Sequence, residues 1–169
     1  LTVKTKFKNE SKDIQYFAFG YHPYLCPGDS IDDCYFETNL SESYPLDARL
    51  LPVIHRPSKS SFSGKSIQLK NHSFDNTFAY NDSERFLFFS IINPEKNLRL
   101  TISSLNSGDE KEINLKFLQL YTPSHRKSIA IEPMSSTGNS FFFDESRLVK
   151  ILPDEEKHSI FEISLKSAR

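Results

Sequence analysis

The chain has 169 residues, with 21 Lys and Arg against 22 Asp and Glu for a formal charge of −1. This length suits a single domain spanning 1–169 that buries about two-thirds of its unfolded surface. There is no basic stripe and no apolar run long enough to span a bilayer, which argues against nucleic acid and against a membrane as partners.

The two cysteines, Cys26 and Cys34, are too few and too plainly spaced for a metal site or a disulfide framework. They are expected as free thiols, with a bridge across the intervening Pro-Gly-Asp turn as the alternative. No basic-then-apolar leader is visible, and a cytoplasmic location is the expectation. Leu1 falls directly inside an alternating segment, so the sequence reads as starting partway through a longer protein.

Leu1, Val3, Thr5 and Phe7 alternate with Thr2, Lys4, Lys6 and Lys8, the pattern of a half-buried strand with a charged outer face. An aromatic-rich strand over 14–19 follows and runs into Gly20-Tyr-His-Pro-Tyr-Leu25, which places His22 immediately before a proline. Segments 31–39 and 44–54 read as short strands, and the Pro/Ser-rich run 56–64 reads as a loop. Asp75 stands between Phe74 and Asn76, a setting that predicts a local Asx turn. Further strands are predicted over 85–92, 98–105, 112–121, 128–132, 147–152 and 159–165, joined by turn-like links such as Asn93-Pro-Glu-Lys-Asn97 and Pro153-Asp-Glu-Glu-Lys157. Segment 85–92 is apolar on both faces and is expected in the middle of a sheet. No long segment shows the period of an amphipathic helix. Many short strands with hairpin-like links, together with 15 Phe and 7 Tyr, predict an all-β, antiparallel β-sandwich.

The stretch that carries chemistry is Lys127-Ser-Ile-Ala-Ile-Glu-Pro-Met134. A period of two puts Ile129 and Ile131 on one face and Ala130 and Glu132 on the other. Pro133 has no N–H for a ladder, so Glu132 is predicted at the last position of its strand, aimed at a rim. Desolvation there would raise its pKa and accepted hydrogen bonds would lower it, and both readings stay open. A solvated Glu that merely ends a strand is the plain alternative. His55, His72, His125 and His158 fall in loops or turns and read as solvated or locally bonded.

Five motifs taken together resemble the aldose 1-epimerase, galactose mutarotase-like family: Gly20-Tyr-His-Pro-Tyr24, Phe74-Asp-Asn-Thr-Phe78, Leu118-Gln-Leu-Tyr-Thr-Pro123, Ile131-Glu-Pro-Met134 and Leu152-Pro-Asp-Glu155. They occur in the family's order and correspond to its C-terminal portion. The resemblance implies a large antiparallel sandwich, incomplete at its N-terminal side, with a sugar bound across one sheet. It makes His22 the general acid, Glu132 the general base and Asp75 a partner of sugar hydroxyls. Because one face of a sugar ring is largely C–H, Tyr21, Tyr24 and Phe78 are candidates for stacking on it, with packing in the β-core as the plainer reading. The implied partner is a small-molecule sugar, with no cofactor and no metal. A hexose-6-phosphate 1-epimerase and a catalytically silent sugar-binding module are the alternatives. For a phosphosugar, His125-Arg126-Lys127 would be the phosphate site.

Overall fold

A computed structural model describes residues 1–53, 56–81, 83–105, 107–143 and 148–168. Ile54 and Arg147, predicted in strands, His55, predicted in a loop, and Asn106, predicted in a turn, lie outside the described residues. The strands are β1 (Thr2–Lys8), β2 (Gln15–Phe17), β3 (Tyr24–Leu25), β4 (Tyr35–Thr38), β5 (Glu42–Tyr44), β6 (Ser58–Lys59), β7 (Ser66–Gln68), β8 (Asp75–Ala79), β9 (Phe86–Asn93), β10 (Leu98–Leu105), β11 (Phe117–Tyr121), β12 (Ile129–Met134), β13 (Val149–Ile151) and β14 (Glu156–Ser167). A 3₁₀ turn (Leu69–Asn71) and one turn of helix, α1 (Ser140–Phe143), are the helical elements among the described residues. No helix there is long and apolar enough to cross a membrane.

Two six-stranded sheets face each other, one in the order β1-β14-β10-β9-β4-β7 and the other β3-β12-β11-β8-β5-β6, while β13 pairs with β2. The strand pairings are antiparallel. Alternation fixes what lies between the sheets. Phe36, Phe89, Ile91, Ile102 and Phe161 from the first sheet meet Phe78, Leu118, Leu120, Ile129 and Ile131 from the second in one apolar cluster. Strand β9 is interior, as its two-faced apolar pattern predicts, and its Leu87, Phe89 and Ile91 face the core.

Several elements differ from the sequence reading. Strand β12 continues through Pro133 to Met134 instead of ending at Glu132. The proline carbonyl accepts from the Tyr21 N–H at 3.1 Å, so the missing proline donor points toward that irregular segment and leaves the ladder with β11 intact. Asp75 opens β8 opposite Tyr121 and is extended rather than turned. Of segment 112–121 only Phe117–Tyr121 is strand. Segment 44–54 breaks after Tyr44 into a turn in which the Asp47 carboxylate accepts from the N–H groups of Arg49 and Leu51. The loop at 56–64 contributes β6, which pairs with β5. Arg126 is held by Asp32 at 2.5 Å and donates to the carbonyls of Leu69 and His72 at 2.8 and 3.2 Å. Its guanidinium thus ties the connection between β11 and β12 to two loops, and this engagement gives Arg126 a structural role in place of the phosphate contact expected of it. His72 stacks on Phe74 at 6.0 Å between centroids and packs against Phe36 and Phe62, so it belongs to the aromatic cluster.

Candidate active site

On the second sheet, register sorts outward-facing side chains into rows. One row runs Tyr24, Ala130, Tyr121, Asp75, and the next runs Glu132, Gln119, Thr77, Tyr44. Segment 19–25 lies along β12 with Gly20 opposite Met134 and Tyr24 opposite Ala130, which puts His22 opposite Glu132 at the head of the second row. The backbone explains how close the two come. Tyr21 N–H donates to the Pro133 carbonyl, and Ile131 N–H donates to the Pro23 carbonyl, each at 3.1 Å. His22 and Glu132 therefore form a pair that exchanges no backbone bonds, the position in an antiparallel ladder where side chains approach most closely. His22 Nε2 lies 3.2 Å from Glu132 Oε1. Gly20 permits this approach, since a Cβ there would stand 2.9 Å from Met134 Cγ and 3.2 Å from the Pro133 carbonyl oxygen.

The two partners differ in surroundings. The Glu132 side chain is 14% exposed and that of His22 is 54% exposed. Burial pushes the Glu132 carboxyl above its ordinary value; the imidazole of His22 draws it back down, while the charge of Asp75 adds to the rise. The His22 ring stacks on Tyr24, with centroids 5.0 Å apart and planes at 26°. Tyr24 is half exposed beside it. Gln119 donates through Nε2 to Asp75 Oδ1 at 3.1 Å and accepts at Oε1 from the Thr77 hydroxyl at 2.6 Å. This amide thus stands between the carboxylates of Asp75 and Glu132 with its orientation set by a donor on one side and an acceptor on the other.

Of the residues singled out in the sequence, His22, Glu132, Asp75 and Tyr24 share this face. Tyr21 does not. It packs inward on Phe161 at 4.6 Å, and its hydroxyl meets those of Thr5 and Ser159. In an extended segment it must face away from His22, so the structure contradicts its assignment to the substrate face. Phe78 is 3% exposed and belongs to the core. Gln119, Thr77 and Tyr121 were missed as members of the site. The alternation of Leu118, Gln119, Leu120 and Tyr121 carries the signal, because two buried leucines send the residues between them to the opposite face. Among the described residues, no group of three or more His, Cys, Asp or Glu converges as a metal site would require.

No protein-family model and no curated protein matches this sequence. Solved structures do. A galactose mutarotase-like protein from Clostridium acetobutylicum aligns with a TM-score of 0.81 and 17% identity over 98% of this chain and 52% of its own. An aldose epimerase homologue from C. elegans aligns at 0.72 and 14% over 99% of this chain and 57% of its own. A galactose 1-epimerase from Lactobacillus acidophilus NCFM aligns at 0.71 and 16% over 99% and 54%. The chain thus has the galactose mutarotase-like β-sandwich fold and spans about half the length of the structures it matches. At these identities the likeness is one of fold.

Proposed function

We propose that the outer face of the second sheet interconverts the α and β anomers of a hexose, with Glu132 as general base and His22 as general acid. The observation that supports this most is the 3.2 Å contact between His22 Nε2 and Glu132 Oε1, with the His22 side chain half exposed. In a cyclic aldose the anomeric hydroxyl and the ring oxygen are bonded to the same carbon. An acid and a base that serve these two oxygens must therefore lie side by side. Glycoside hydrolysis places different demands on its pair, since its two carboxyls flank the scissile bond about 5–9.5 Å apart.

In the forward step Glu132 takes the proton of the C1 hydroxyl, the bond between C1 and the ring oxygen breaks, and that oxygen receives a proton from the imidazolium of His22. The open aldehyde turns about the C1–C2 bond and presents its other face. Closure returns the proton from Glu132 to O1 and the other to His22. The sugar is neutral before and after, and both transfers are made by side chains without a cofactor. The raised pKa of Glu132 makes it a stronger base than a solvated glutamate. Asp75 and Gln119 offer an acceptor and an oriented amide to ring hydroxyls, while Tyr24 and Tyr121 offer aromatic faces to the C–H side of the sugar.

Polarimetry tests this reading. Pure α-D-glucose or α-D-galactose should approach its anomeric equilibrium faster in the presence of the protein than in the same buffer alone. Binding of a hexose with no acceleration, for free or phosphorylated sugars, would instead support the silent sugar-binding module.

A further inference from the structure

His22 is mounted on a segment with an unusual fastening. At its start the hold is complete: Ser135 N–H donates to the Phe19 carbonyl, and the Ser135 hydroxyl accepts from the Phe19 N–H. At its end, β3 pairs with β12 through Tyr24 and Leu25. Between these points an unbroken ladder would make two bonds at Tyr21 and Pro133 and two at Pro23 and Ile131. Neither proline has an N–H, so each position makes one. The middle of the segment, where His22 sits, is therefore held to β12 by two backbone bonds where an unbroken ladder would make four.

The side chain of the preceding residue adds a further hold to this half-strength ladder. Tyr21 turns into the sandwich, with its ring 5.8 Å from Phe19 and 4.6 Å from Phe161. Its hydroxyl bonds Thr5 of β1 and lies 3.4 Å from the Ser159 hydroxyl of β14, where Ser159 is fully buried. Both strands belong to the opposite sheet. An inward Tyr21 forces an outward His22 because successive side chains alternate. A tether from Tyr21 to the far sheet therefore sets how closely His22 approaches Glu132.

We infer that Tyr21 is a positioning residue for His22, acting through a hydroxyl cluster with Thr5 and Ser159 that spans the sandwich. This rests on the acid–base reading of His22 and Glu132 for its effect on rate, and on geometry alone for its effect on the imidazole. The test uses Tyr21→Phe, which keeps the ring packing, and Thr5→Val, which removes the tether's partner without touching the site segment and serves if the first variant folds poorly. Each should move the His22 imidazole resonances in NMR spectra and reduce the displacement of those resonances on Glu132→Gln. In active protein each should lower kcat about tenfold by misplacing the acid, with KM within about twofold of wild type. The double variant should fall no further than Tyr21→Phe alone, because the phenylalanine already removes the contact with Thr5 that Thr5→Val removes. A residue that only stabilised the fold would lower the melting temperature and leave kcat per folded molecule unchanged. Unchanged imidazole resonances in both variants overturn the inference, and so does unchanged kcat in active protein. If the wild type shows no epimerase activity, the acid–base reading fails and the resonances alone decide the positioning role.

Discussion

Replacing Glu132 with glutamine separates a catalytic carboxylate from a structural one, because the two roles move activity and stability in opposite directions. The change preserves shape and removes the base. General acid–base catalysis contributes about 10²- to 10⁴-fold, which at 1.36 kcal/mol per tenfold corresponds to about 2.7–5.4 kcal/mol of barrier. Stability should behave differently. The folded protein holds Glu132 with a raised pKa, so it binds that proton more tightly than the unfolded chain does. The resulting stabilisation is fully present below the unfolded value near 4.5 and is lost as pH rises through the higher folded value. At pH 7 the wild type carries the cost of a desolvated carboxylate that the glutamine variant escapes. The lost ion pair weighs against this, but one partner is 54% exposed, which limits its contribution to about 1 kcal/mol.

The expected result is a kcat reduced by two to four orders of magnitude in polarimetric mutarotation. Urea unfolding at pH 7 should show a variant at least as stable as wild type, and acidification below pH 4.5 should shift the comparison in favour of wild type. The acid limb of the wild-type rate profile should lie above the ordinary glutamate value of 4.5. A drop in kcat of less than about tenfold would refute the base assignment. A loss of about 3 kcal/mol of stability or more would refute the energetic account and make the pair a buried structural ion pair.

Four further outcomes are expected. Asp75→Asn should raise KM about ten- to a hundredfold through a lost hydroxyl partner, and should move the acid limb of kcat to lower pH because a like charge no longer faces Glu132. Gly20→Ala should lower kcat, since the new methyl meets Met134 Cγ at 2.9 Å and pushes His22 away from β12; unaltered kcat would show that the segment yields without displacing the imidazole. Arg126→Ala should cost about 3 kcal/mol in denaturant unfolding by leaving Asp32 and two loop carbonyls without their donor, while kcat per folded molecule stays near wild type. Iodoacetamide should modify the exposed Cys26 in native protein and reach Cys34 only on unfolding, because burial pushes that thiol up to about 11; equal reactivity would contradict the buried placement.

The sandwich was legible because its strands alternate cleanly, as in Val3, Thr5 and Phe7 or Ile129 and Ile131, and period two is a local property. The convergence of His22 and Glu132 was legible only through the resemblance, as nothing in either motif alone specifies its partner. Gln119 shows why the rest was harder to read. Its place between Asp75 and Glu132 follows from the registers of β11 with β8 and with β12, which depend on cross-strand pairing rather than on neighbours in sequence. Tyr21 shows the opposite: alternation with His22 already excluded a shared face, and reading both as substrate contacts set that constraint aside. Pro133 misled because a proline ends pairing only on the side to which its nitrogen points. That direction is decided by the fold.

The pairing of β1 with β14 has a consequence for how the chain comes to be assembled. The Thr2 hydroxyl bonds Glu162 across 160 positions, and β14 is the strand beside β1 in its sheet. During synthesis β1 emerges before its partner, and it must wait until β14 has left the ribosome. An extended segment carrying Val3, Thr5 and Phe7 is an invitation to pair wrongly in that interval. Lys4, Lys6 and Lys8 alternate with those residues on the exposed side, and like charges so placed oppose the addition of a second copy of the same strand. Neutralising the lysine row should therefore lower the yield of folded protein during translation far more than it alters the melting of protein that has already folded.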